Sequence, residues 1–244
     1  MLEGKLNSPR KTTREEIELY LTARGGDEWK YFSASILAHW EIMFEDYAPR
    51  YLHGIVLDAG CGHAPYIDLV RKYSTVLISL DYEITHPAQQ VCADVRKLPF
   101  VDDSIDSLLS TQVFEHVAHP FEAIHEAGRV LKSSGILLMS VPHLSRLHEL
   151  PNDYFRFTEN GLRFLAQEGG FEVIEIVPTG GLLTFLSHQA SLAFLISLWP
   201  LRILRPAILM INKCLFTRLA NFLDRLIKTE SLFPQGYVMV AKKI

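Results

Sequence analysis

The sequence is poor in cysteine, and the three it has, Cys61, Cys92 and Cys214, stand far apart with no Cys-x-x-Cys pair. That excludes a disulfide framework and fits a reducing compartment. Excess basic charge is missing too: 24 Lys and Arg face 28 Asp and Glu, a net charge of −4. A general attraction to nucleic acid is therefore not expected. There is no internal repeat and no low-complexity tract, which excludes a repeat architecture. The first residues carry Glu3, Arg10, Lys11, Arg14, Glu15 and Glu16 with no apolar stretch, so no secretory signal is expected. The longest absence is of charge: from Ile176 to Leu201 no Asp, Glu, Lys or Arg occurs. That run reaches the roughly 20 residues a bilayer requires. Yet Thr184, Ser187, His188 and Ser191 recur at helical spacing as a polar stripe. Gly180 and Gly181 begin the run and Pro200 ends it. A crossing would also leave the last strand on the wrong side of its own sheet, so a spanning helix is rejected.

What is present is enough for one large α/β domain with additions: 244 residues, 48% of them hydrophobic. Residues 54–62 read Gly-Ile-Val-Leu-Asp-Ala-Gly-Cys-Gly. Ile55, Val56 and Leu57 are the apolar run of a buried parallel strand. The strand ends on Asp58 and turns on Gly60 and Gly62, where missing β-carbons let backbone approach a ligand. Pro65 suits a first helical position, and Tyr66–Tyr73 read as the start of a helix. A strand, a glycine turn and a helix start make a nucleotide-type site at a sheet's carboxyl edge. A dinucleotide turn would place a third glycine where Pro65 stands, and Asp58 would repel a pyrophosphate. A carboxylate suits a cationic ligand, such as an amino group. Thr75–Leu80 read as a second buried strand ending on Asp81, about 20 residues past the turn, the spacing of a carboxylate that accepts both ribose hydroxyls. Cys92-Ala93-Asp94-Val95, with Leu98-Pro99-Phe100 behind it, is a third signal. Each taken alone also reads as a plain turn or helix cap. Their order and spacing favour one ligand site.

Asp58-Ala59-Gly60-Cys61-Gly62 matches Asp/Glu-x-Gly-x-Gly, the first motif of the class I S-adenosylmethionine-dependent methyltransferases, and the chain resembles that family in its type 11-like form. The resemblance implies S-adenosyl-L-methionine as cofactor. It implies cofactor contacts from Asp58, Ala59, Gly60, Cys61, Gly62, Asp81, Tyr82, Asp94, Val95, Thr111 and Gln112. In it, Asp94 would touch the adenine amino group and the next backbone N–H the ring, while Thr111 and Gln112 would face the methionine part.

Strands and helices alternate from residue 54 to about 177, which predicts a doubly wound, mostly parallel sheet. Ser104–Val113 is the fourth strand. Pro120–Lys132 is an amphipathic helix with Phe121, Ile124, Val130 and Leu131 on its apolar face, stopped by Gly135. Gly135–Val141 is the fifth strand. Thr158 caps a helix over Glu159–Gln167 that ends at Gly169 and Gly170. Phe171–Val177 is the sixth strand and Gly236–Lys243 the last. The resemblance implies a seven-stranded, Rossmann-like sheet with this last strand antiparallel between five and six. The expected organisation is a helical N-terminal lid (1–50), a core (51–181 and 236–244) and a helical insertion (182–235). Trp29, Tyr31, Phe32, Trp40, Phe44 and Tyr47 in the first segment read as packing aromatics. In the insertion, Arg202, Arg205, Lys213, Arg218, Arg225 and Lys228 face only Asp224 and Glu230. Apolar surface with basic flanks can lie in a membrane interface. The alternative is a helical hairpin packed on the domain or on a second copy.

Methyl transfer rests largely on positioning, and a hydroxyl acceptor also needs a base. After the fourth strand stand Glu115 and His116, read as catalytic or substrate-binding residues or, more plainly, as a helix start. Some quinol O-methyltransferases that this stretch resembles carry Glu-x-x-Glu-His here and bind a divalent ion. Gln112 replaces the first of those acids, and no complete ligand set can be assembled with His116 and His119, so no metal is expected. After the fifth strand, His143 is the leading base, because histidine titrates near neutrality. Pro151–Thr158 resembles a segment of bacterial methyltransferases of surface-polysaccharide and natural-product pathways, and Asp153, Tyr154 and Arg156 are the candidate acceptor contacts. Arg156 either holds an anionic acceptor or pairs with Asp153. The leading expectation is a methyltransferase, acting at oxygen on a small-molecule, saccharide or lipid-linked acceptor, cytoplasmic or at the inner face of a membrane. The rivals are a non-catalytic cofactor-binding adaptor and a nicotinamide-dependent oxidoreductase. A homodimer stays open.

Overall fold

The computed structural model describes Thr13, Glu16, Ile17, Tyr20, Leu21 and residues 26–244. Its frame is one seven-stranded sheet: β1 (Ile55–Ala59), β2 (Val76–Asp81), β3 (Val91–Cys92), β4 (Ile105–Thr111), β5 (Leu131–Pro142), β6 (Phe171–Thr179) and β7 (Gly236–Lys243). The order is β3-β2-β1-β4-β5-β7-β6. All pairs are parallel except those of β7, which runs antiparallel to β5 and β6. The order reverses between β1 and β4, where open α/β sheets take their ligands. The doubly wound, Rossmann-like expectation is thus met, down to the place and bounds of the last strand.

Apolar side chains cover both faces of the sheet. One face packs Leu57, Leu108, Leu137 and Met239 under α4 (Pro120–Val130) and α5 (Glu159–Glu168). The other packs Val56, Leu109, Leu138 and Val240 under Trp40, Met43, Phe44 and Tyr47. Those four belong to a nearly continuous helical rod: α1 (Ala34–Trp40), a π-helical stretch Glu41–Tyr47, and α2 (Ala48–Tyr51). Each fully buried aliphatic or aromatic side chain contributes about 1.5–3 kcal/mol.

Four local expectations need correction. The helix after the glycine turn is only the four residues of α3 (Ile67–Val70), and Pro65 lies in the turn before it. The left-handed backbone at Gly62 (φ 53°) and Ala64 (φ 50°) takes up the chain that would have begun a longer helix. Gly135 does not stop α4, which ends at Val130 because Leu131 turns extended and pairs with Ile105. Phe121 is exposed and meets Phe164 edge-on, its ring centroid 5.9 Å away. The fourth strand ends at Thr111 because Gln112 takes φ 54°.

Residues 182–235 hold α6 (Leu182–Leu198), a 3-10 turn (Arg202–Leu204), α7 (Arg205–Ile211), a π-helical stretch (Asn212–Leu219) and α8 (Ala220–Ile227). Among the described residues no helix is long and apolar enough to cross a membrane. The polar stripe of α6 points inward. Thr184 and Ser191 are fully buried, and the single Ser191 hydroxyl proton is shared between the Phe32 carbonyl at 2.9 Å and Asn212 Oδ1 at 2.7 Å. Asn212 and Asn221 donate in turn to carbonyls of Phe32 and Ala34. Asp224 caps α6 by accepting from the amides of Gly181 (2.6 Å), Thr184 (3.1 Å) and Leu183 (3.3 Å).

Candidate cofactor and acceptor site

The carboxyl ends of β1, β2, β4 and β5 gather the motif residues on one edge. Asp58 ends β1 almost wholly buried, with 2% of its surface exposed. Burial, with Asp81 beside it, pushes its carboxyl up to about 7, and no hydrogen bond from the described residues offsets the shift. A buried carboxylate without a donor is costly unless a cation meets it. Gly60 follows at φ 84°, with its amide donating to Leu80 at 2.8 Å. A β-carbon there would lie 2.3 Å from Val113 Cγ2, so only glycine permits β1 and the end of β4 to sit this close. A β-carbon on Gly62 would point into open space, which is the gap a ligand needs in front of the turn. Cys61 is buried behind it, and burial together with Asp58 and Asp81 pushes the thiol up to about 12. It is an inert wall rather than a nucleophile.

Asp81 accepts from the amides of Gly62 and Tyr82, both at 2.7 Å. It therefore straps the glycine turn to β2, and each oxygen retains a lone pair for a further donor. Tyr82 beside it is exposed. Gln89, which the sequence reading missed, is buried and donates to the Gly62 carbonyl at 2.8 Å while accepting from the His86 amide at 2.7 Å. It ties the loop after β2 to the turn. Asp94, with Val95 next to it, lies past β3, and Arg96 engages its carboxylate at 2.6 Å and holds it below the usual range.

On the β4 side, the hydroxyls of Ser110 and Thr111 are buried with no hydrogen-bond partner among the described residues. Gln112 donates to Ser140 Oγ at 3.3 Å, and His39 Nε2 lies 2.9 Å from the same oxygen. His39 comes from α1, a segment read only for its aromatics. Burial pushes it down to about 4, so it stands neutral at pH 7. Phe44 stacks on Tyr66 at 3.9 Å, with Trp29 and Trp40 around the pair, so the first helical rod packs beside the glycine turn.

On the acceptor side, His143 follows β5, and its Nδ1 meets the Phe157 carbonyl at 2.8 Å. A carbonyl only accepts, so Nδ1 carries the proton and Nε2 keeps its lone pair. Asp153 and Arg156 are paired with each other, at 2.6 and 2.8 Å. Arg156 also donates to the Arg146 carbonyl at 2.9 Å, and Asp153 accepts from the His148 amide at 2.9 Å. The Arg156 guanidinium holds the Asp153 carboxyl far below the usual range. Of the two readings for Arg156, the structure displays the pair with Asp153. Tyr154 is exposed, with its hydroxyl donating to Asn152 at 3.2 Å. Glu115 does not cap a helix. It is fully buried and faces His116 and His148, a third residue that the sequence reading did not name. His119 stands at the start of α4, outside this group. A separate hollow of about 210 Å³ lies between the first helical rod and α8. None of the motif residues lines it.

The sequence profile of the methyltransferase-domain family matches residues 57–139. A probable S-adenosylmethionine-dependent methyltransferase of Mycobacterium tuberculosis is 32% identical over 112 residues, 42% of this chain and 41% of that one. Another, from Mycolicibacterium smegmatis, is 31% identical over 148 residues, 54% of this chain and 58% of the other. The chain thus spans between two fifths and three fifths of the length of these curated relatives. A crystal structure of an S-adenosylmethionine-dependent methyltransferase from Archaeoglobus fulgidus superimposes with a TM-score of 0.54 at 18% identity, over 93% of this chain and 99% of that one. The fold is that of the class I methyltransferases, a seven-stranded Rossmann-like sheet. Over residues 57–139 the chain carries a methyltransferase domain, and there it is similar to S-adenosylmethionine-dependent methyltransferases. The family's cofactor is S-adenosyl-L-methionine, and the residues fit it: a donor-less buried carboxylate for an ammonium, a second carboxylate for a diol, orphaned hydroxyls, and open space before Gly62.

Proposed function

We propose that this chain transfers a methyl group from S-adenosyl-L-methionine to the oxygen of a small-molecule, saccharide or lipid-linked acceptor bound at the β4–β5 edge. The observation that carries the reading is Asp58: a carboxylate buried without any donor, held near neutrality, facing a glycine turn with room in front of it. The bound cofactor supplies an electrophilic methyl group on a cationic sulfur. Asp58 binds the ammonium of its amino-acid end, and Asp81 accepts from its ribose hydroxyls while keeping the Gly62 amide. Asp94 and Val95 face the adenine. Thr111 and Gln112 line the methionine part, and the Gln112–Ser140–His39 chain fixes their side of the pocket. His143, with Nδ1 donated to Phe157, takes the acceptor's proton at Nε2. Tyr154 lies on the acceptor rim, and the Asp153–Arg156 pair sets the shape of the loop that carries it. Calorimetry with S-adenosylhomocysteine and with NAD tests the cofactor half: binding of the first and not the second is expected, and the reverse would favour the oxidoreductase. Turnover of labelled cofactor with a pooled metabolite and lipid extract tests the rest, and binding without turnover would favour an adaptor.

We also infer a peripheral membrane contact through 182–235. Ile203 is 94% exposed, Leu232 76%, Leu226 64% and Met210 61%, with Arg202, Arg225 and Lys228 among them. An apolar surface with basic flanks suits an anionic lipid interface. Co-sedimentation with phosphatidylserine vesicles at low and high salt is the test. No pelleting in either condition removes this reading.

A further inference from the structure

From the geometry around Glu115 we propose that this chain binds a divalent first-row transition-metal ion between Glu115, His116 and His148, at the rim of the acceptor cleft. The three residues come from two elements. Glu115 and His116 form the 3-10 turn after β4, and His148 is on the loop after β5. That loop is fixed against the turn: the amides of Tyr154 and Phe155 donate to the Glu115 carbonyl at 2.9 and 3.1 Å. One ligand atom from each of the three residues lies within 4.8 Å of the others.

Three observations point to a cation. First, Glu115 is fully buried and neither carboxylate oxygen accepts a hydrogen bond from the described residues. Second, both imidazoles are oriented by their far nitrogens. His116 Nδ1 meets the Asn152 carbonyl at 2.7 Å and His148 Nδ1 meets the Arg146 carbonyl at 3.2 Å. Carbonyls fix a proton on Nδ1 in each ring, which leaves Nε2 of each facing Glu115 as the position for an ion, or in His148 for a second proton that the carboxylate favours. This is the outer-shell arrangement that holds metal-ligating histidines. Third, His116 Nε2 and His148 Nε2 each lie 3.7 Å from Glu115 Oε1. That is too long for an N–H···O bond, which runs about 2.7–3.2 Å. It is close to the separation of two atoms on one tetrahedral ion, since bonds of about 2.0–2.2 Å place neighbours about 3.4 Å apart. Two imidazole nitrogens and one carboxylate select zinc-type or iron-type ions over magnesium, and they leave positions open for water or an acceptor oxygen. Among the described residues, Asp153 also approaches, 3.8 Å from His148 Nδ1, but Arg156 holds it. The competing arrangement is a protonated imidazole paired with Glu115, with no ion.

The proposal does not depend on methyl transfer. Untagged full-length protein, stripped with a chelator and dialysed against Zn²⁺, is expected to retain one ion per chain by elemental analysis and to melt at higher temperature. His148→Gln and Glu115→Gln should each weaken Zn²⁺ binding by at least the 10–100-fold (order of magnitude) that losing an outer-shell partner costs. The double variant His63→Ala/His86→Ala, which removes another close pair of imidazoles, should retain the ion. No stoichiometric zinc in the wild type, or unchanged affinity in His148→Gln, overturns the site. Should those variants not fold, X-ray absorption on the zinc-loaded wild type decides: two imidazoles with oxygen support it, and fewer than two overturn it.

Discussion

The strand edge and the helical cap treat their buried polar groups in opposite ways. Around β1, β4 and β5 the interior is mostly apolar, and among the described residues Asp58, Glu115 and the Ser110 and Thr111 hydroxyls are buried there without hydrogen-bond partners. Between the first helical rod and α6–α8 the interior is rich in polar groups: Ser33, Thr184, Ser191, Asn212, Thr217, Asn221 and Asp224 are all buried. Most of them are hydrogen-bonded across the helices, beside a buried apolar cluster of Phe32, Leu192, Leu195, Trp199 and Ile208, while Ile203, Phe222 and Leu226 lie outside. A satisfied polar seam fixes which helix faces which, because any slip strands its donors. An unsatisfied carboxylate does the reverse. It leaves the site incomplete until a cation arrives, so stability is low where binding is needed.

The largest expected effect on that contrast is at Asp81. Asp81→Ala removes the acceptor for the Gly62 and Tyr82 amides together with the proposed ribose contact. A charge-assisted bond is worth about 1.5–3 kcal/mol, and two of them correspond to a loss of S-adenosylhomocysteine affinity of roughly 100-fold or more. Calorimetry should show it, and unchanged affinity would end the diol assignment.

Asp58→Asn should separate stability from binding. The folded pKa, about 7, lies above the unfolded value of 3.8. The folded state therefore holds a proton that the unfolded state has released, and wild-type stability falls as pH rises from about 4 to 7 and stays low above. The variant cannot ionise, so its melting temperature should exceed the wild type's at pH 8 and approach it at pH 4. Each pH unit of the window corresponds to about 1.4 kcal/mol at most. Ligand affinity should move the other way. In the wild type it falls below pH 7, where a proton competes with the ammonium, by up to about tenfold per unit. In Asp58→Asn it should be weaker and flat across that range. A wild-type affinity that rises on acidification would contradict the role of Asp58.

Asp224→Ala tests the satisfied half. Burial alone would raise this carboxyl, but hydrogen bonds from Thr184, Gly181 and Thr229 outweigh it and hold the group below the usual range. Removing it uncaps α6 and leaves three amides without their acceptor. The cost should be about 2 kcal/mol, read as a lower denaturation midpoint. Because Asp224 is depressed, its contribution is present above about pH 4 and lost on further acidification. Affinity of the folded variant for S-adenosylhomocysteine should be unchanged, and a parallel loss would show that cap and site are coupled.

What was legible follows the same division. The strands and the turn at Asp58–Gly62 come from short-range signals: apolar runs, glycines that tolerate φ above zero, and carboxylates at fixed spacing; the place of the last strand in the sheet is non-local and rests on the family resemblance. The short α3 and the misplaced stop at Gly135 show where local signals compete, with turn geometry and strand pairing winning over helix propensity. His39, Gln89 and His148 escaped because nothing adjacent in sequence marks them. His39 reaches Ser140 across 101 residues, and His148 meets Glu115 only because the loop after β5 folds back on the turn after β4. The polar stripe of α6 was seen, but its direction was not, since periodicity reports a face and not what covers it.

The smallest expected change in stability is on the outer face of that same cap. Ile203→Glu and Leu226→Glu replace exposed side chains that the fold leaves outside. Surface changes of this kind alter stability by about 0.5 kcal/mol or less. Their effect on an anionic lipid surface should be large by comparison, because each removes apolar area from the contact and adds a like charge to it. Vesicle co-sedimentation should therefore drop for the double variant while its melting temperature and S-adenosylhomocysteine affinity hold. If the variant instead melts many degrees lower, those side chains are packed in solution and the outer face belongs to a contact between copies. If all three readouts stay level, the exposed apolar face has no lipid to meet, and the polar seam beneath it exists only to align the helices.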